Sequence, residues 1–147
     1  IPLYIKSFEK PNQKGTEINK NLDLSPKVPC YIFKNNMIFI KIFSLDFSFA
    51  IDKNLSHIFK KIDEFKMKVD IIQNSAISFS ICLFDKYNQI DNLIKSLEEK
   101  FKIEVYKNIS LYTIRHFDEQ AIKVVSKGKK LLLEQRSEKT VKLIFKN

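Results

Sequence analysis

The order of apolar and polar positions along the chain predicts a mixed α+β structure. Residues 37–43 and 69–83 contain apolar runs and alternating apolar and polar positions, which is typical of β-strands. Two other stretches repeat apolar residues every three or four positions, as one face of a helix does. The first comprises Leu55, Ile58, Phe59, Ile62 and Phe65, and the second comprises Ile90, Leu93, Ile94, Leu97 and Phe101. The pattern therefore predicts two amphipathic helices set among strands.

Between residues 37 and 106 the predicted order is strand, helix, strand, strand, helix, strand. Asn54 is the predicted N-cap of the first helix, and the two central strands form a hairpin across a polar turn at Asn74 and Ser75. A strand at residues 103–106 completes a βαββαβ unit, the ferredoxin-like arrangement. This order predicts an antiparallel sheet with both helices on one face.

A second, shorter unit follows the first. A strand at Ile109–Arg115 leads to a helix capped by Asp118, and residues 130–135 and 140–145 form a second hairpin. This unit has one strand and one helix fewer than the first, so a strand must come from elsewhere in the chain. Residues 30–34 are the natural donor, because the paired asparagines at 35 and 36 tolerate turn geometry and divide the strand-like run that begins at Cys30.

The composition narrows the range of functions. A hydrophobic content of 44% in 147 residues is enough to build a buried core, and no apolar run approaches the roughly 20 residues of a membrane helix. The net charge of +9 invites a nucleic-acid-binding interpretation. However, the lysines are scattered and the only arginines are Arg115 and Arg136, so nucleic acid and membrane are not expected partners.

The residues that usually carry chemistry are few. Cys30 and Cys82 lie in apolar strand-like runs without metal-binding or redox spacing, which indicates reduced, packed thiols in a cytoplasmic protein. The only glycines are Gly15 and Gly128, so a glycine-rich phosphate loop cannot be written. We therefore predict no catalytic residue and no metal site in this chain.

Four segments resemble the C-terminal regulatory region of aspartate kinases. The hairpin Val69–Ile81 resembles the signature hairpin of the first ACT module, and residues 43–55 resemble the ligand loop of that module. Residues 109–114 resemble the strand that opens the second module. The opening residues 1–6, with Gly15 and Thr16, resemble the last strand of the kinase domain and the loop after it. Ala76 stands where this family often has an acidic residue.

The resemblance implies a fold and a domain division. The expected fold is two intertwined ferredoxin-like ACT modules with antiparallel sheets and helices on one face. Residues 1–28 would be the end of the kinase domain and a linker, and residues 36–107 would form the first module. Residues 29–35 together with 108–147 would form the second module, which the first interrupts.

The resemblance also implies an effector site. The loop that ends at Asn54 leads into a helix N-terminus, which favours a carboxylate, and Asp70 could pair with the ammonium group of a free amino acid. Asp is disfavoured within a strand and needs a partner there. Asn54 fits a plain helix cap equally well, and Asn74 and Ser75 fit a plain turn. The predicted effector-binding residues are Ser48, Asn54, Leu55, Val69, Asp70, Asn74 and Ser75.

The implied function is allosteric control. The region would bind an end-product amino acid, with lysine as the first candidate and threonine as the second. Binding would feedback-inhibit the phosphorylation of L-aspartate by ATP in lysine, threonine and methionine biosynthesis. Homodimers through the ACT modules and a kinase domain before this segment, with ATP and magnesium as its cofactors, are implied as well. Two alternatives stay open: a ligand-free ACT-like dimerisation module, and a basic nucleic-acid-binding α+β domain.

Overall fold

The computed structural model describes residues 2–20, 27–44 and 51–146, and it is an α+β structure with a six-stranded sheet. A small two-stranded sheet comes first, from β1 (Leu3–Ile5) and β2 (Thr16–Ile18). The strands of the main sheet are β3 (Cys30–Ser44), β4 (Lys68–Asn74), β5 (Ser78–Phe84), β6 (Phe101–Arg115), β7 (Lys130–Arg136) and β8 (Thr140–Lys146). The helices are α1 (Ile51–Glu64), α2 (Ile90–Glu98) and α3 (Glu119–Ser126).

The strands of the main sheet are ordered β4-β5-β3-β6-β8-β7, and every neighbouring pair is antiparallel. The central strands β3 and β6 have 15 residues each and pair with each other along both of their halves. The C-terminal part of β3 pairs with β5, whereas the C-terminal part of β6 pairs with β8. The sheet therefore has a first half with β4 and β5 and a second half with β7 and β8.

The two halves meet where β3 and β6 change their register. Asn36 and Asn108 have positive φ angles of 55° and 56°, which asparagine tolerates better than most residues. The pairing shifts between Lys34 and Met37 at the same place. Both asparagines lie at or next to the predicted module limits, but the division into modules stays a prediction. The predicted break at residues 35 and 36 is a bend within one continuous strand, and residues 101–115 also form one strand.

The helices pack on one face of the sheet, in two clusters. α1 and α2 cover the first half, where we define the helix-side core by its largest fully buried side chains: Ile40, Ile42, Ile58, Phe79, Ile81, Leu83, Leu93 and Leu97. α3 covers the second half through Ala121, Ile122 and Val125. Asp118 Oδ1 accepts a hydrogen bond from the Ala121 amide at 2.6 Å, so Asp118 caps α3 as predicted.

The opposite faces of the two halves pack against each other. They share a junction core of Met37, Phe39, Ile71, Cys82, Ile109, Leu111, Leu133 and Ile144. β4 and β7 are the outermost strands of the sheet, yet Gln135 Nε2 donates to the Ile72 carbonyl at 3.1 Å. The sheet therefore bends back on itself, and strands at its two ends come into contact.

Two predicted positions are wrong in the structure. α1 begins at Ile51, so Asn54 lies within the helix and is not its N-cap. The apolar spacing explains the difference, because Ile51 is four residues before Leu55 and extends the helical period by a turn. Phe101 begins β6, although its spacing fits the apolar face of α2. Its side chain is buried in the core, which a residue of either element could be, so the spacing alone did not distinguish the two. Within the described ranges, no helix is long and apolar enough to cross a membrane.

Candidate functional site

Asp70 is the extra residue of a β-bulge in β4. Val69 pairs with Leu83 and Ile71 pairs with Cys82 on β5, so Asp70 has no partner residue of its own in the ladder. Val69 packs against the helix-side core, whereas Ile71 belongs to the junction core. The bulge re-aims the Asp70 side chain toward the junction between the two halves.

Asp70 contacts two lysines, Lys34 on β3 and Lys142 on β8 in the second half of the sheet. Its Oδ1 forms an ion pair with Lys34 Nζ, and its backbone carbonyl accepts a hydrogen bond from Lys142 Nζ at 3.0 Å. Oδ2 is buried and accepts no hydrogen bond from any described residue. A buried carboxylate oxygen without a donor is uncommon and indicates a place where a further donor would be favourable.

A cavity of about 320 Å³ lies beside this ion pair. It is lined by Lys34, Asn35, Met37, Lys68, Asp70 and Phe84. Its size is at the lower end of ordinary small-molecule sites, and its lining combines two ammonium groups, one carboxylate and two large apolar side chains. This arrangement could hold a small zwitterion with an aliphatic side chain.

Cys82 lies on β5 close to this cluster of charges. Burial, and to a smaller extent the negative charge of Asp70, raises the pKa of the Cys82 thiol to about 12, although Lys34 and Lys142 act in the opposite direction. The thiol is therefore protonated at neutral pH and unreactive, and it packs as a small apolar side chain in the junction core. Cys30 is an exposed free thiol.

The other predicted effector residues are spread over two places. Asn54 and Leu55 are half-buried on α1, and Leu55 packs against the helix-side core, as Val69 does. Asn74 and Ser75 are exposed at the turn between β4 and β5. Ser48 lies outside the described residues. The structure thus places Asp70 at the junction and Asn74 and Ser75 at the far end of β4, and their roles in binding stay predictions.

Hydrogen bonds across the β4–β5 turn occupy Ser75. Its amide donates to the Ser78 carbonyl at 2.9 Å, and its Oγ accepts from the Ser78 amide at 3.1 Å. The two hydroxyl groups are 2.8 Å apart. These contacts fix the hairpin, so Ser75 has a structural role in the turn whether or not it also contacts a ligand.

The second half repeats this hairpin with different side chains. The Ser137 amide donates to the Thr140 carbonyl at 2.8 Å, as Ser75 does to Ser78. A bulge between Leu131 and Leu133 puts Leu132 at the position that corresponds to Asp70. Because leucine cannot pair with an ammonium group, the two halves share a backbone plan but not the charged feature of the junction.

Lys34, Lys68 and Lys142 escaped the sequence prediction. Lys34 and Lys142 are separated from Asp70 by 36 and 72 positions, so no local spacing could connect them. One signal was present, because Lys34 interrupts an apolar strand-like run just before the bend. In the part of the chain that the structure describes, no group of three His, Cys, Asp or Glu residues could hold a metal ion.

His57 is expected to make the fold sensitive to acid. Its Nε2 is buried without a hydrogen-bond partner among the described residues, and burial lowers the pKa of the imidazole, as do Lys100 and Lys61. Between the lowered pKa and the unfolded value of about 6.5, the unfolded chain binds more protons, so stability decreases as the pH falls. Urea unfolding at about pH 7.5 and about pH 5.5 should show a smaller loss in His57→Gln than in the parent chain. Equal losses in both would contradict this prediction.

Similarity to known proteins was found among solved structures and not among family models or curated sequences. No family model matches the chain, and the curated proteins give no significant sequence match. A C-terminal regulatory domain of aspartate kinase from Porphyromonas gingivalis is similar, with a TM-score of 0.67 and 17% identity over 81% of this chain and 86% of that one. The aspartate kinase of Clostridium acetobutylicum has a TM-score of 0.79 and 16% identity, covering 99% of this chain and 38% of that chain.

A third similar structure is aspartokinase III of E. coli in complex with lysine and aspartate. Its TM-score is 0.72 with 16% identity, and the match covers 98% of this chain and 35% of that chain. The chain thus spans little more than a third of these two kinases and most of the isolated regulatory domain. The chain therefore has the tandem ACT fold of the aspartate kinase regulatory region.

Proposed function

We propose that this chain is the allosteric regulatory region of an aspartate kinase and that it binds a free amino acid. Lysine is the first candidate for this effector, and threonine is the second. The observation that carries the proposal is Asp70, whose carboxylate lines a cavity of amino-acid size and forms an ion pair there with the Lys34 ammonium group. The similar aspartokinase III was solved with lysine and aspartate. A carboxylate in such a place suits an ammonium group.

The mechanism would be a shift between two arrangements of the halves. An effector that binds one arrangement more tightly than the other favours it by the difference in binding free energy. Asp70 is suited to this role because it belongs to β4 in the first half and contacts Lys142 of β8 in the second half. A kinase domain before this segment would carry out phosphorylation of aspartate with ATP and magnesium, and the whole protein would work in the cytoplasm.

We also propose a homodimer formed through the ACT modules. Residues 30–34 of β3 pair only with β6, so their other edge is free in the described structure. Tyr31, Ile32 and Phe33 on this edge are about half exposed. Free strand edges with apolar side chains are places where a second chain adds strands. The same edge is what favours the alternative, a dimerisation module without a ligand.

Calorimetric titration with lysine, threonine and methionine, each alone, tests the proposal. We expect saturable heat with lysine, together with the mass of a dimer by light scattering. Heat with threonine alone would keep the regulatory function and change the effector. A folded dimer that binds none of the three would contradict amino-acid sensing by this chain and favour the dimerisation module.

A further inference from the structure

The Lys34–Asp70 ion pair connects the two halves of the sheet. Lys34 lies on the segment of β3 that pairs with β6 in the second half, where its partner residue is Leu111. Asp70 lies on β4, at the outer edge of the first half. The two side chains are unequally exposed, 41% for Lys34 and 15% for Asp70. The carboxylate is therefore fixed in the junction, whereas the lysine reaches it from a position that is open to water.

The Lys34 side chain has the chemistry of a ligand in this position. It presents an ammonium group on an unbranched alkyl chain to Asp70, in a cavity whose apolar lining includes Met37 and Phe84. A free amino acid with a terminal ammonium group could make the same contact. Lys68 also lines the cavity and could meet the carboxylate of such a ligand.

The carboxylate does not offer two equal positions. Oδ1 is taken by Lys34, and Oδ2 is buried without a donor from the described residues. A second ammonium group beside Lys34 would bring two like charges together, which is unfavourable in a partly buried place. If the ammonium group of the ligand replaces that of Lys34, the carboxylate stays paired with one positive charge. This exchange costs less free energy than adding a second ammonium group.

We propose that Lys34 is a built-in competitor for the effector at Asp70, and that a ligand with a terminal alkylammonium group displaces it. This inference rests on the proposed function and deepens it by naming the competing residue and the class of ligand. Displacement of Lys34 removes a contact between the halves, while the hydrogen bonds of Lys142 and Gln135 to β4 remain. Ligand binding and the coupling between the halves are thereby linked through one carboxylate.

The test is the lysine affinity of Lys34→Met, measured by calorimetry on the same chain. Methionine keeps an unbranched, flexible side chain that is one heavy atom shorter than lysine, and it removes the charge. We expect the affinity to rise about tenfold, which corresponds to Lys34 holding Asp70 about nine-tenths of the time in the parent chain. Lys34→Gln, whose amide still donates to Asp70 without a charge, should give a smaller rise and serves if the methionine variant does not fold.

Lys142→Met is the matched control. It removes an equal charge near Asp70 but leaves the carboxylate paired, because Lys142 contacts the backbone carbonyl. Its lysine affinity should therefore change less than that of Lys34→Met. Norleucine, which is lysine without the terminal ammonium group, is the control ligand and should gain nothing from either substitution. Equal gains in Lys34→Met and Lys142→Met would indicate a general charge effect and overturn the inference.

The remaining outcomes separate the two proposals. If the parent chain binds lysine and neither Lys34 variant binds it more tightly, Lys34 is not a competitor and the proposed function stands. If only the Lys34 variants bind lysine, the competitor is stronger than expected and the inference holds. If the parent chain and the folded variants all fail to bind any of the amino acids, both the sensing function and the inference are wrong.

Discussion

Phe39→Ala is expected to lower the free energy of unfolding by about 3–5 kcal/mol, the usual cost of removing a fully buried phenylalanine. Phe39 is 0% exposed and lies in the junction core, with its ring centroid 6.0 Å from that of Tyr106. The substitution leaves a cavity that residues from both halves line, and these cannot collapse without moving two strands. Urea unfolding followed by circular dichroism measures the loss.

Phe59→Ala is the matched control for this prediction. Phe59 lies on α1, is 39% exposed, and meets Phe79 edge-on with a centroid distance of 5.8 Å. Because water already reaches part of the ring, its removal should cost about 1 kcal/mol. Similar losses for the two variants would mean that the junction core is not the tightly packed centre that the structure shows.

Asp70→Asn is expected to weaken lysine binding by about 2 kcal/mol, roughly thirtyfold, if lysine is the effector. Asparagine has the size of aspartate and can still accept a hydrogen bond from Lys34, so the bulge should persist. It carries no negative charge, however, and cannot compensate the ammonium group of the ligand. Calorimetric titration with lysine measures the change, and thermal unfolding checks that the variant is folded.

Asp63→Asn provides the comparison for Asp70→Asn, because Asp63 is an exposed carboxylate on α1. It removes the same charge from the molecule, and its lysine affinity should stay within about twofold of the parent value, as screened surface charges act weakly. An unchanged affinity in Asp70→Asn would refute the role of Asp70 in effector binding. In that case the residues around the β4–β5 turn would be the next to examine.

The elements that the sequence predicted well are those whose signals are local. The cap of α3 needs only Asp118 and the amide of Ala121, and the turns of both hairpins need only a few polar residues between apolar strands. Local chemistry and tertiary packing agree in these places, so the prediction holds.

The features that escaped prediction depend on contacts between distant residues. The bulge at Asp70 is defined only by the pairing of its neighbours with β5, and the ion pair with Lys34 depends on the bend that joins the halves. Phe101 fits a helix by its spacing and a strand by its burial, and only the pairing with Ser44 decides between them. Of the candidate site, the sequence singled out the carboxylate but could not identify the ammonium group that contacts it.

Strands β3 and β6 each belong to both halves, and this sharing has a consequence for how the chain folds. Domains joined by a linker can melt one at a time, because few contacts cross between them. Here the two central strands belong to both halves, so neither half can lose its strand pairing without exposing strands of the other. We therefore expect the two halves to unfold as one cooperative unit. A destabilising substitution at either end of the sheet should lower the free energy of unfolding of the whole chain.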